Sequence, residues 1–146
     1  MVDLTGEFRH KVDAKGRLSL PARFRKDLSE DLVVTIDPDK ECLYVFERPA
    51  FNEWVLSFFG TDEDGKSNFN PQSRTHLAIR RELKSRAMDV EPDTSGRIGI
   101  SAKQREIVEI GKEAVLVGNT GYFEIWGAER YDAREEIDLS ELLSDL

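Results

Sequence analysis

The sequence is short of cysteine, histidine and long apolar runs. A single cysteine, Cys42, excludes an intrachain disulfide and points to a reducing compartment. It lies in the run Cys42-Leu43-Tyr44-Val45-Phe46, where a buried structural thiol is expected. No stretch approaches the roughly 20 apolar residues of a membrane span. The first residues lack the apolar core of a signal peptide, so a soluble, cytoplasmic chain without membrane association is expected. The only histidines are His10 and His76, and neither sits in a catalytic or zinc-binding spacing. No phosphate-binding Gly-rich loop is present, since Gly16 and Gly96 are single turn glycines. Asp37-Pro38-Asp39 and Asp62-Glu63-Asp64-Gly65 lack the ligand spacing and terminal Glu of a calcium loop. These absences argue against an enzyme, and no cofactor, metal or small-molecule substrate is expected.

The 146 residues, 39% of them hydrophobic, suffice for a buried core. A net charge of −8 argues at face value against a nucleic-acid binder. The distribution of charge reverses that argument. Residues 1–26 carry seven basic groups against three acids, and residues 74–88 carry five against one. The acid is concentrated elsewhere: eleven acids against three bases in 27–73, and seven against two in 129–146.

An internal repeat organises the chain. Val12-Asp13-Ala14-Lys15-Gly16-Arg17-Leu18-Ser19-Leu20-Pro21-Ala22 aligns with Pro92-Asp93-Thr94-Ser95-Gly96-Arg97-Ile98-Gly99-Ile100-Ser101-Ala102 at an offset of 80. Both read Asp-x-x-Gly-Arg-apolar-x-apolar-x-Ala. The register continues with Arg25 on Arg105, Leu43, Val45 and Phe46 on Phe123, Ile125 and Trp126, and Phe51 on Tyr131. Two copies of one unit imply a duplicated fold with a pseudo-two-fold relation.

Local chemistry predicts the elements of each copy. Phe8 to Val12 is a strand, and Asp13 to Gly16 a turn in which Gly16 takes positive φ. Arg17 to Leu20 alternates like a half-buried strand, and Pro21 opens a short helix through Arg25. Leu32–Ile36 and Cys42–Phe46 form a hairpin. In the second copy the strand is Arg97–Ile100, the helix Ala102–Ile110 ended by Gly111, and the hairpin Ala114–Val117 with Tyr122–Trp126. Each unit reads β-turn-β-α-β-β, too small to bury a core alone, so the two copies should interleave or pack together.

Two helices lie between the copies. Phe51, Trp54, Val55, Phe58 and Phe59 form an amphipathic stripe behind Pro49. Asn70-Pro71 reads as an N-cap and first helical residue, followed by Ile79, Leu83 and Ala87 at helical spacing. The aromatic stripe of Phe51, Trp54, Phe58 and Phe59 is either core or a subunit interface.

The tandem Asp-x-x-Gly-Arg motifs, each followed by a strand and short helix, resemble the MraZ family of bacterial transcriptional regulators. Arg9 to Arg25 is similar to the family's first motif throughout. The resemblance implies an α+β, mainly β fold: two SpoVT-AbrB-like swapped-hairpin modules at 7–54 and 87–130 form a pseudo-dimeric barrel. A helical connector at 55–86 lies between the modules, and an acidic tail at 131–146 follows. It also implies a nucleoid-associated regulator of the division and cell-wall gene cluster, binding direct repeats near its own promoter as a ring-shaped homo-oligomer. In the second motif Ser95, Gly99 and Ser101 replace Lys15, Ser19 and Pro21, which lowers its positive charge.

The residues support a double-stranded DNA partner independently. Arg9, Lys11, Lys15, Arg17, Arg23 and Arg25 cluster on a strand, its turn and the following helix, with Arg97 a weaker contributor. Arg suits bidentate contact with guanine, and Lys acts as a point charge on phosphate. Alternatives stay open at this point. Arg17 and Arg97 can pair with Asp13 and Asp93 instead, and Arg23 and Arg25 can be solvated helix residues. Arg80, Arg81, Lys84 and Arg86 fit a solvated face or an intersubunit charge pair. The acidic tail is a frayed end, a competitor for the DNA site or a partner for a neighbour's basic helix. An oligomeric scaffold whose basic turns bind an acidic protein is the second functional reading.

Overall fold

The computed structural model describes residues 1–146. In chain order the elements are β1 (Glu7–Lys11), β2 (Arg17–Ser19), α1 (Ala22–Asp27), β3 (Leu32–Ile36), β4 (Leu43–Glu47), α2 (Arg48–Ser57) and α3 (Arg74–Ser85). There follow β5 (Met88–Val90), β6 (Arg97–Gly99), α4 (Ala102–Ile107), β7 (Glu113–Gly118), β8 (Tyr122–Gly127), α5 (Ala128–Ala133) and α6 (Leu139–Ser144). No helix is long and apolar enough to cross a membrane.

The fold is α+β with antiparallel pairing throughout. Six strands form one sheet in the order β1-β7-β8-β4-β3-β5, and β2 pairs with β6 in a separate ribbon. The first strand of each sequence copy pairs with the other copy: β1 lies against β7, and β5 against β3. The closed barrel implied by the resemblance is corrected to an open sheet. Strands β1 and β5 remain its two edges, because β2 and β6 pair with each other and do not bridge them.

Alternation along the strands divides the interior. In β3, Leu32, Val34 and Ile36 enter an 18-residue core, and Val33 enters a second, five-residue core. The larger core takes Leu18 and Ile98 from the ribbon, Phe24 from α1, and Leu116, Phe123 and Ile125 from the sheet. The smaller one joins Val33 and Phe46 to Phe51 and Val55 of α2 and Leu83 of α3. Every residue of β3 is buried, as period-two packing on both faces requires. Cys42 is buried as expected, and burial raises its thiol pKa well above the ordinary range.

Three helix boundaries differ from the sequence expectation. Pro21 occupies the N-cap position of α1, one residue before the first helical turn. Helix α3 is capped by Ser73, whose side chain accepts the His76 N–H, while Asn70 receives the Gln72 N–H in a preceding turn. Helix α4 stops at Ile107 and does not run to Ile110. Glu109 adopts φ 58°, and the Ile110 N–H returns to the Arg105 carbonyl at 2.8 Å.

Candidate nucleic-acid interface

Each Asp-x-x-Gly-Arg segment builds the same closed turn. The Asp13 carboxylate accepts the backbone N–H groups of Lys15 and Arg17, both at 2.9 Å, and Nε of Arg17 at 2.9 Å. Gly16, at φ 79°, donates its N–H to the Asp13 carbonyl at 3.0 Å. Asp93 repeats the arrangement, receiving the N–H of Ser95 and of Arg97 at 2.9 Å and Nε of Arg97 at 3.0 Å. Acceptance of these N–H groups, led by that of the arginine, holds both carboxyls below their ordinary pKa. The motif spacing therefore has a physical cause: aspartate closes the loop, glycine permits it, and arginine is oriented by it.

The β2–β6 ribbon brings the two turns into one assembly. Leu20 donates to the Gly96 carbonyl and Ile100 to the Gly16 carbonyl, each at 2.9 Å. Leu18 and Ile98 point into the core, so Arg17 and Arg97, both half-buried, share the outer face. Arg97 Nη1 lies 4.0 Å from Asp13, so this carboxylate touches both arginines. The Nε bonds anchor each guanidinium, and neither end group makes a hydrogen bond within the chain.

The helices brace the opposite copy's turn. Arg25 of α1 lies against Gly96, where a Cβ would come within 2.5 Å of its guanidinium, and its Nη2 donates to the Thr94 carbonyl at 3.3 Å. Arg105 of α4 lies against Gly16, and its Nε donates to the Ile100 carbonyl at 3.1 Å. Arg25 thus has a bracing role, and Arg105 was missing from the expected site. Its alignment with Arg25 was the sequence signal that could have found it.

The other expected residues divide by their surroundings. Lys15 is exposed at the tip of its turn, Lys11 at the end of β1, and Arg23 on α1. Arg9 is engaged by acids: Nη1 donates to Asp132 at 3.1 Å and lies 3.7 Å from Glu113. Bonding to Asp132 raises the Arg9 pKa and lowers that of Asp132. The two histidines have structural partners, His10 at the Ser19 carbonyl and His76 at the Asn70 N–H and the Phe59 ring.

The aromatic stripe also divides. Phe51 is 3% exposed and packs on Phe46, so its ring belongs to the core and offers no surface for a subunit contact. Phe59 is half-buried between Phe69 and His76. Trp54 is half-buried, and Phe58, 47% exposed, stands edge-on against it.

Comparison with known proteins gives the family. A family model described as "MraZ protein, putative antitoxin-like" matches residues 4–75 and 83–145, which contain both turns. The chain belongs to the MraZ family. A Marinomonas relative named transcriptional regulator MraZ is 39% identical over 140 residues, covering 92% of this chain and 87% of its own length. Relatives of the same name from Mycolicibacterium vanbaalenii and Nitrosomonas eutropha are 36% and 38% identical. They cover 90% and 96% of this chain, and 86% and 90% of their own lengths. The MraZ match spans the sheet, the ribbon and the α2–α3 connection alike.

Proposed function

We propose that this chain is a sequence-specific DNA-binding regulator, reading short direct repeats in its own operon's promoter region as a ring-shaped homo-oligomer. On this reading it acts in the nucleoid on the division and cell-wall gene cluster. Its two modules, 7–54 and 87–130, interleave through the exchanged strands β1 and β5, and 55–86 connects them. One observation carries the reading: Arg17 and Arg97 stand together on the outer face of the β2–β6 ribbon, each anchored through Nε with its end groups free of hydrogen bonds. A guanidinium so held is pre-oriented for bidentate contact with a guanine edge, while Lys15 meets phosphate. The names of the relatives support the regulatory role.

Arg17→Ala tests it. Loss of one bidentate contact is expected to weaken specific binding by about 1–3 kcal/mol at each repeat, with the sedimentation profile unchanged. Retardation of promoter DNA equal to wild type refutes the role of Arg17. A protein that shows no sequence preference and co-purifies with an acidic protein partner is instead a scaffold.

A further inference from the structure

The repeat sets two clefts in corresponding places at the two ends of the sheet, and their charges are opposite. The first, of about 690 Å³, opens beside the Asp13–Gly16 turn and is bordered by Lys11, Asp13, Arg105, Lys112 and Glu113. Val12 donates to the Lys112 carbonyl at 2.9 Å, which brings the two lysines to one rim. Both side chains are exposed. The two carboxylates of this cleft already face arginines, Asp13 with Arg17 and Glu113 with Arg9 at 3.7 Å. Arg105 is held against the turn by its bond to Ile100.

The corresponding end carries the reverse. At the offset of 80, Asp89 stands for Arg9, Glu91 for Lys11 and Leu32 for Lys112. The cleft there, about 470 Å³, is bordered by Glu30, Asp31, Asp89 and Glu91, with Arg48 its only cation. Arg48 is committed to Asp31 at 3.0 Å and Asp89 at 2.7 Å. Glu30 and Glu91 are exposed, and neither forms an ion pair.

We infer that the basic cleft seats a backbone phosphate of the DNA whose bases Arg17 reads, and that the acidic cleft turns the duplex away, so each protomer grips DNA at one end only. This rests on the DNA-binding reading above. Lysines on flexible stems, without intramolecular acid partners, suit a point charge on phosphate more than base readout. Lys11 and Lys112 flank the same turn that orients Arg17, so phosphate contact there fixes the position of the guanidinium over the groove.

The double variant Lys11→Ala/Lys112→Ala, in the full chain, tests the seat. Its affinity is measured by fluorescence anisotropy over a salt series, on promoter duplex and on an unrelated duplex of equal length. Loss of the one seated phosphate makes the slope of log K against log salt shallower by about 0.9 per engaged protomer. The affinity ratio between the duplexes and the sedimentation coefficient stay at wild-type values. An unchanged slope overturns the inference, and so does a changed sedimentation coefficient, which makes the cleft a joint between subunits. Arg17→Ala, run alongside, separates the two claims. If it keeps the duplex ratio while the double variant flattens the slope, the readout role of Arg17 fails and the phosphate seat stands. Absence of wild-type binding to either duplex overturns both.

Discussion

Asp13 and Asp93 each accept two backbone N–H groups and one guanidinium N–H, and these bonds set how the fold responds to acid. Both carboxyls, and that of Asp132, lie below the ordinary value of 3.8 in the folded chain. Their contribution to stability is therefore complete above about pH 4–5 and is lost as pH falls through the lowered folded-state values. The denaturant midpoint should be lower at pH 3 than at pH 7, and Asp13→Asn with Asp93→Asn should narrow the difference. An equal difference in the variant would place the acid response elsewhere. Gly16 adds a steric constraint. At φ 79°, a Cβ would lie 2.6 Å from Arg105 and 2.7 Å from the Ile100 carbonyl. Gly16→Ala should cost about 1–3 kcal/mol, read as a lowered Tm.

Helices α1 and α4 occupy equivalent places in the repeat, yet each buries a different residue. Phe24 is fully buried in the large core against Phe8 and Phe123, whereas its counterpart Gln104 donates to the carbonyls of Val34 and Arg86 at 3.0 and 3.1 Å. Phe24→Ala should destabilise by about 3–5 kcal/mol, measured by denaturant unfolding. A loss below 1 kcal/mol would mean that the core collapses around the deletion. Elements with strong local signals were legible in the sequence: both turns, both hairpins and the amphipathic α2. Helix ends were less legible. Pro71 and Gly111 resemble a start and a stop, but Ser73 and Glu109 make those hydrogen bonds and turns instead. Capping depends on which backbone groups remain unpaired, and composition alone does not reveal that.

At the scale of the molecule, the proposed function gives each chain few DNA-directed cations, so on that reading affinity depends on simultaneous engagement of repeats. A duplex with two correctly spaced repeats should bind far more tightly than one, by a factor of about 10²–10⁴ set by effective concentration. On the proposed ring assembly, the exposed part of the aromatic stripe is the surface left for subunit contact. Phe58→Ser should lower the sedimentation coefficient and remove the gain from the second repeat, with little change in folding stability. An unchanged sedimentation profile would show that Phe58 lies outside the subunit contact. Net charge describes none of this, because the basic and acidic clefts are separated by the width of the sheet.

The sequence by itself determined the repeat, the two closed turns and the residues poised within them. Those features depend on contacts a few residues apart, and Asp13 meets Lys15 and Arg17 whatever the rest of the chain does. Only the tertiary structure decided which groups share a surface. Pairing of β1 with β7 brings Lys11 to Lys112 and ties Arg9 to Glu113 and Asp132. The ribbon sets Arg97 beside Asp13, and α2 packing takes Phe51 into the core. These partners are 80 or more residues apart, or depend on which face of the sheet a helix covers. The antiparallel exchange of strands between the copies settles the first, and packing of α2 on β3 and β4 the second.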